Sequence, residues 1–337
     1  MKGIQTKSAV VLVNLGTPEE LTVPSVRAFL KQFLSDRRVV EIPRIIWLSI
    51  LNLIILNTRP AKTLENYKEV WMEEGSPLRV ITERQTRGLQ TVLDAELKEN
   101  SPQVVYAMTY GNPSIENTLD KLYSEGCRRI VILPMYPQYS GSTTGAVYDQ
   151  IADYMKANRA LPGLNIINSY FYESSYINAL KSSIESFWQA KGRAEYLLFS
   201  YHGIPVSYVE KGDPYAGHCQ CTTAAVSEAL NLESEEFEMS YQSLFGKAEW
   251  LKPYTSNKLV ELAEQGIKRI DVVCPAFAAD CIETLEEIAM ENAEIFKEAG
   301  GEELRLIPCL NDSEVHIEAL QQILMPHLRA ITPNLKP

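Results

Sequence analysis

The sequence predicts an α/β protein made of two similar doubly wound (Rossmann-like) domains, with parallel sheets and a cleft between them. Three observations predict this. Short apolar runs alternate with stretches of helical periodicity, the pattern of parallel strands joined by crossover helices. The run EGCRRIVILP at 125–134 is echoed 140 residues later by QGIKRIDVVCP at 265–275, with one insertion before the proline. The loop NLGTP at 14–18 is echoed by YHGIP at 201–205. An N-terminal domain is expected over 1–160, completed by a C-terminal helix at 312–337, and a second domain over 161–311.

The elements follow in order. An apolar strand at 9–13 runs into NLGTP, which is not a dinucleotide fingerprint because no G-x-G-x-x-G follows. A helix is expected over 26–33. The segment 45–56, IIWLSILNLIIL, is the most hydrophobic of the chain. It is shorter than the roughly 20 residues that span a bilayer. Two readings stand: a buried helix, or an exposed apolar lip against a greasy ligand or a membrane surface. Arg59 and Lys62 follow at once, and a basic edge beside an apolar lip suits an amphipathic acid. A turn at 75–78 precedes a helix over 82–97, a strand at 104–108, a helix at 114–123 and a strand at 129–133. The loop 134–145 is rich in hydroxyls and leads to a helix at 146–155. The second set opens at 164–168. It continues with a helix at 176–189, a strand at 196–199 that runs into SYHGIP, and a helix at 222–230. A strand at 238–242, a helix at 256–265 and a strand at 270–274 complete it.

Composition narrows the class. The chain has 337 residues, 45% hydrophobic and 22% charged, enough for two ordinary cores. A net charge of −11 argues against a nonspecific nucleic-acid binder, which would carry a basic surplus. The first residues show neither a long apolar segment nor a cleavage site, so no secretory signal is expected. Six cysteines are too few for a disulfide framework at this length, and a cytoplasmic setting is expected.

Candidate chemistry gathers after the last strand. Asp280, Glu283, Glu287, Glu291 and Glu294 recur at intervals of three and four, which puts all five on one face of an α-helix. Such a row repels itself mildly, and either solvent or a bound cation compensates. Open α/β sheets bind ligands beyond the carboxyl ends of their strands. His202 directly follows a strand of the same domain, so it and the first carboxylates can meet. A histidine opposite a carboxylate can take protons near neutral pH or ligate a divalent metal. Cys219 and Cys221, like Cys274 and Cys281, lack zinc-site spacing. No Walker lysine and no nucleophile elbow occurs.

Taken together, VNLGTP at 13–18, GSPL at 75–78, YPQYS at 136–140, FSYHGIP at 199–205, GDPY at 212–215 and DCIETL at 280–285 resemble the ferrochelatase family over nearly the whole chain. The resemblance implies insertion of ferrous iron into protoporphyrin IX, the last step of protohaem synthesis. It implies that His202 and Glu283 face each other across the porphyrin, and that Arg59, Lys62, Ser76 and Ser243 lie where propionates are held. Leu15, Tyr110 and Tyr136 are further candidates for substrate contact. His202, Glu283, Glu287 and Glu291 are the candidate metal contacts, with Glu287 and Glu291 offering hard oxygens at successive turns. Peripheral contact with the inner membrane surface through 45–56 is a further expectation.

The chain departs from the family's pattern in places. Thr109 and Leu244 stand where a basic residue often occurs. Gly141 stands where animal-type members have a cluster cysteine, and the sequence ends at Pro337 without a cysteine-rich tail. Iron is therefore expected as substrate, with no iron–sulfur cluster and no tightly bound cofactor. Competing readings are a chelatase that loads cobalt into another tetrapyrrole, and a two-lobed carrier without chemistry.

Overall fold

The computed structural model describes residues 7–246 and 248–331. Two four-stranded sheets dominate it, parallel throughout. The first holds β1 (Lys7–Gly16), β2 (Gln103–Tyr110), β3 (Cys127–Pro134) and β4 (Gly163–Ile166), in the order β2-β1-β3-β4. The second holds β5 (Tyr196–His202), β6 (Phe237–Gln242), β7 (Arg269–Val273) and β8 (Glu303–Leu306), in the order β6-β5-β7-β8. The order is the same in both, so the sequence echoes fall on β3 and β7 and on the ends of β1 and β5.

The central strands are continuous apolar runs because helices cover both of their faces. Ala9 through Val13 of β1 are fully buried. In the first core, Val11, Val13, Ile130 and Ile132 pack with Ile115, Leu119 and Ile151 of the crossover helices. In the second, Leu198, Ile270 and Val272 pack with Leu259, Leu262, Ile288 and Phe296. The chain forms two compact units. The first runs to Tyr136 and takes in Gly141–Ser169 and the chain from Ile317 onward; the second holds Pro137–Ser140 and Tyr170–His316. The helix after β4, Ser174–Lys191, thus belongs to the second unit, and most of the helix after β8, Glu314–Ile331, to the first. The last six residues of the sequence, within the C-terminal helix expected at 312–337, lie outside the described residues.

Two segments differ from their sequence-based expectation. The segment 45–56 is neither wholly buried nor wholly exposed. A helix at Arg44–Ile50 opens into a π-turn at Leu51–Ile55 and continues as the helix Leu56–Val70. Trp47 and Leu51 point inward, 3% and 0% exposed, and the Trp47 indole donates to the Leu34 carbonyl at 2.6 Å. Ile45 and Leu53, at 86% and 74%, point outward with Ile46 and Ile54. Among the described residues no helix is long and apolar enough to cross a membrane.

The acidic row is likewise not one α-helical face. A short helix at Ile282–Leu285 gives way to a π-helix at Glu287–Asn292 and then to Ala293–Glu298. The wider turn breaks the three-and-four spacing. It is braced by the Asn292 amide, which donates to the Glu287 carbonyl at 2.7 Å. Asp280 precedes the helix and is buried. Its carboxylate accepts from Thr284 Oγ1 at 3.0 Å, Asn311 Nδ2 at 2.6 Å and the Cys309 N–H at 3.3 Å. It is a structural anchor. His316 Nδ1–H donates to the Asn311 carbonyl at 2.6 Å and so steadies that anchor.

Two tests follow from these placements. Gly16 has φ +113°, and a Cβ there would run into the Tyr110 carbonyl; Gly126 has φ +93° with open space around it. Positive φ alone costs a side-chain-bearing residue about 1–3 kcal/mol. Gly126→Ala should lose about that much in urea unfolding, and Gly16→Ala clearly more because it adds the clash. The second test uses pH. Burial holds the His316 imidazole down at about 4, below its ordinary 6.5. The unfolded chain therefore binds a proton that the folded chain refuses, and stability falls as pH drops from 6.5 toward 4. Between about pH 6.5 and 4.5 the wild type should lose on the order of 2 kcal/mol more than His316→Asn. Equal slopes of unfolding free energy against pH would contradict this.

Candidate active site

The site is built at the ends of β5 and β6, where His202 and Gln242 are register partners. The His202 ring bonds through Nδ1 to the Gly203 carbonyl at 2.7 Å. A carbonyl can only accept, so Nδ1 carries a proton, and Nε2 is the ring nitrogen left to take or release one. Gly203 donates its N–H to the Gln242 carbonyl at 2.8 Å. A Cβ on Gly203 would lie 3.0 Å from that oxygen and 3.1 Å from the Trp250 ring, so a side chain here would push β5 and β6 apart. The Trp250 ring sits 6.4 Å from His202, tilted, and bounds the imidazole on one side.

Beyond Gln242 the backbone of Ser243 turns left-handed, with φ +64°. Such a conformation is costly for a residue with a side chain and is often found at functional sites. Here it directs two donors of one residue to one carboxylate. The Ser243 N–H reaches Glu287 Oε1 at 2.7 Å, and the Ser243 hydroxyl donates to Glu287 Oε2. Gln242 Nε2 adds a longer contact to Oε2 at 3.4 Å and a short one to the Glu283 carbonyl at 2.6 Å. Burial pushes the Glu287 carboxyl above its ordinary range; the Ser243 donors, and the positive charge His202 carries when protonated, pull the other way, and Glu283 adds to the rise. Glu287 is thus near enough to His202 to feel its charge.

The other predicted residues divide clearly. Glu283 is half-buried, with its carboxylate beside the Cys281 thiol. Glu291 and Glu294 are exposed further along the helix. Among the described residues no three His, Cys, Asp or Glu side chains close on one point to hold a metal. Cys219, Cys274 and Cys281 are buried thiols, and Cys221 is exposed.

In the first unit Leu15 is half-buried at the end of β1, one residue before Gly16. Tyr110 is buried at the end of β2 and donates to Asp36 Oδ2 at 2.8 Å; burial and that carboxylate push its phenol far above the usual range. Tyr136 is half-buried, its hydroxyl sealed from solvent. Ser76 is buried as the N-cap of the helix Pro77–Leu97, accepting from the Arg79 N–H at 3.4 Å. Its Ser-Pro dipeptide carries that signal in sequence. Arg59 and Lys62 lie three residues apart on the exposed side of the helix Leu56–Val70. Of the two departures, Thr109 is buried and donates to the Asn14 carbonyl at 3.2 Å, while Leu244 is exposed.

Sequence reasoning missed the support beneath Gln242. Ser200, Ser240 and Thr255 are buried hydroxyls linked to it and to one another. The available signal was polar residues inside otherwise apolar strands, Ser200 in β5 and Ser240 in β6.

A histidine at a strand end with a carboxylate on a nearby helix occurs in many hydrolases and lyases, so geometry alone leaves the class open. The comparisons narrow it. A family model described as Ferrochelatase matches residues 7–328. A ferrochelatase of Photobacterium profundum is 48% identical over 318 residues, covering 94% of this chain and 97% of its own. One from Vibrio parahaemolyticus is 46% identical over 324 residues, covering 96% and 99%. Among solved structures, "SirB from Bacillus subtilis with Fe3+" superposes with a TM-score of 0.57 at 10% identity, covering 97% of this chain and 98% of that one. CbiX, described as the terminal enzyme for biosynthesis of siroheme in denitrifying bacteria, gives 0.52 at 12% identity over 94% and 99%. At those identities the structural likeness concerns the fold alone. The sequence match extends from β1 to beyond β8, through both strand ends that carry His202 and Gln242 and through the helix of Glu283 and Glu287, and on that basis this chain belongs to the ferrochelatase family.

Proposed function

We propose that this chain inserts ferrous iron into protoporphyrin IX, with release of two protons, as the last step of protohaem synthesis. The observation that carries the reading, in a chain of this family, is that His202, its Nδ1 held by the Gly203 carbonyl, lies in the same unit as the Glu287 carboxylate and near enough for its charge to act there. Metallation requires that two pyrrole protons leave and that the metal sheds water. A flat macrocycle shields its nitrogens, so binding energy spent on bending it exposes their lone pairs.

In this reading His202 takes a pyrrole proton at Nε2, and Glu287 stabilises the imidazolium that results. Glu283 serves as a second proton acceptor beside them. Iron is substrate and passes along oxygen ligands, with Glu291 as the outer contact and Glu287 and Glu283 further in. No resident cofactor enters the scheme. Leu15 and Tyr136 would offer apolar surface to the ring, and Arg59 and Lys62 would meet its carboxylates. The hydroxyls of Ser76, Tyr110 and Ser243 are engaged within the fold. A porphyrin contact from the Tyr110 or Ser243 hydroxyl would exchange an internal hydrogen bond, whereas Ser76 accepts from the Arg79 N–H and its own proton could be donated to a propionate. The outward face of Ile45, Ile46, Leu53 and Ile54 suits peripheral contact with the cytoplasmic face of a membrane, the source of an apolar porphyrin.

His202→Ala should lower kcat for anaerobic ferrous iron insertion by about 10²–10⁴ and leave porphyrin affinity within a few fold, as followed by absorbance. More than half the wild-type turnover would remove His202 from the mechanism. Comparing protoporphyrin with coproporphyrin in the same assay tests the substrate. The lip has its own test. Serine at Ile45, Ile46, Leu53 and Ile54 should leave the melting temperature near wild type and reduce flotation with anionic vesicles. Trp47→Ala or Leu51→Ala, which truncate inward side chains, should instead cost about 2–5 kcal/mol of stability. Undiminished flotation of the serine variant would end the membrane proposal.

A further inference from the structure

We propose that Gln242 is a positioning residue for metal insertion, holding His202 and Glu287 in one fixed relation through opposite ends of the same residue. The inference rests on the roles given above to His202 and Glu287. On the backbone side, the Gln242 carbonyl accepts from the Gly203 N–H at 2.8 Å, and the Gly203 carbonyl in turn fixes His202 Nδ1 at 2.7 Å. On the side-chain side, Nε2 donates to the Glu283 carbonyl at 2.6 Å and to Glu287 Oε2 at 3.4 Å.

The orientation of that amide is forced. Both groups before Nε2 are acceptors only, so the amide cannot flip without setting oxygen against oxygen. Oε1 must then face Ser200, whose hydroxyl donates to it at 2.7 Å. That uses the one proton Ser200 has. The 2.9 Å contact between Ser200 and Thr255 is therefore a donation from Thr255, and the 2.9 Å contact between Thr255 and Ser240 a donation from Ser240, whose hydroxyl also lies 3.4 Å from the Phe199 carbonyl. The result is a one-way chain, Ser240 to Thr255 to Ser200 to Gln242 to the turn carrying Glu283 and Glu287. All four of its side chains are buried. It draws on β5, β6 and the helix Thr255–Glu264. A buried chain with every proton assigned is stiff, because any single reversal leaves a donor facing a donor or an acceptor facing an acceptor. An amide does not relay protons readily, so the chain's role is to place Glu287, not to conduct.

The test is a double-mutant cycle on kcat/KM for ferrous iron, with Gln242→Met and Glu287→Gln singly and together. Methionine keeps the length and removes the amide's contacts to Glu283, Glu287 and Ser200. Gln242→Met should lower kcat/KM for iron by about 10- to 100-fold in the wild-type background, the usual cost of losing an outer-shell partner. It should leave the porphyrin KM within about threefold. In the Glu287→Gln background the same change should cost no more than about threefold, because the group it positions has lost its charge. A merely structural role predicts equal losses in both backgrounds, and that result would overturn the proposal, as would a wild-type kcat/KM in Gln242→Met. Ser200→Ala, one step back along the chain, provides the same cycle should Gln242→Met fail to fold. It is expected to show a smaller loss that Glu287→Gln again suppresses, and equal losses in both backgrounds would count against Gln242 in the same way. Absence of turnover in the wild type would bring down the functional reading and this inference with it. Turnover with multiplicative losses would bring down the role of Gln242 alone.

Discussion

The contact between Ser243 and Glu287 is the constraint on which the site depends. A carboxylate taken out of water tends to protonate, and burial does push Glu287 that way. What opposes it is a pair of donors from one residue, the Ser243 N–H at 2.7 Å and the Ser243 hydroxyl, together with the nearby His202. Both donors reach one carboxylate with the Ser243 backbone left-handed, a conformation that costs about 1–3 kcal/mol in a residue other than glycine. The fold tolerates that strain where it fixes a charge next to a base. A group balanced between burial and a few donors responds strongly to any change in those donors, which suits a proton-handling site better than a structural one.

The π-turn is the second half of the same constraint. An α-helix from residue 280 onward would line up Asp280, Glu283, Glu287 and Glu291 as one row. Instead the helix starts only at Ile282, which leaves Asp280 outside it, and the wider turn at Glu287–Asn292 shifts Glu291 from the row. Asp280 is held back by Thr284 and Asn311, Glu287 is turned to β6, and Glu291 is left in solvent. One run of carboxylates thereby becomes three separate environments: an anchor, a carboxylate held by Ser243 and an exposed side chain.

Which parts of this were legible in sequence follows from the range of the forces involved. The strands were legible because burial on both faces makes them uninterrupted apolar runs, as at Ala9–Val13. The duplication was legible because β3 and β7 meet the same packing demand. His202 was legible as a polar residue closing an apolar strand before a glycine. The acidic row was misread because periodicity assumes an α-helix, whereas a side chain five residues on, Asn292, braces the wider turn. The segment 45–56 was half legible. Its hydrophobicity is evident, but the split between inward Trp47 and outward Ile45 depends on what lies beneath it, such as the Leu34 carbonyl. Gln242 was not legible at all. Its function is conferred by Ser200 on one neighbouring strand and Thr255 on a following helix, and one sequence does not say that these three meet.

The two units show what the duplicated frame fixes and what it leaves open. In each, a glycine at or just past the end of the strand is set against the carbonyl of the last residue of its neighbour: Gly16 against Tyr110, and Gly203 against Gln242. A Cβ would intrude at either place, so the glycine belongs to the frame. The residue before it does not. It is Leu15 in the first unit and His202 in the second. The neighbouring strand's last side chain is equally free to differ. Tyr110 donates to Asp36 and closes off its own phenol, whereas Gln242 reaches across to Glu283 and Glu287. One backbone arrangement thus presents a greasy, closed strand end in one copy and a polar one, with an imidazole and an amide, in the other. Chemistry was free to diverge because the steric demand falls on the glycine and the strand-end carbonyl, leaving the two adjoining side chains outside it.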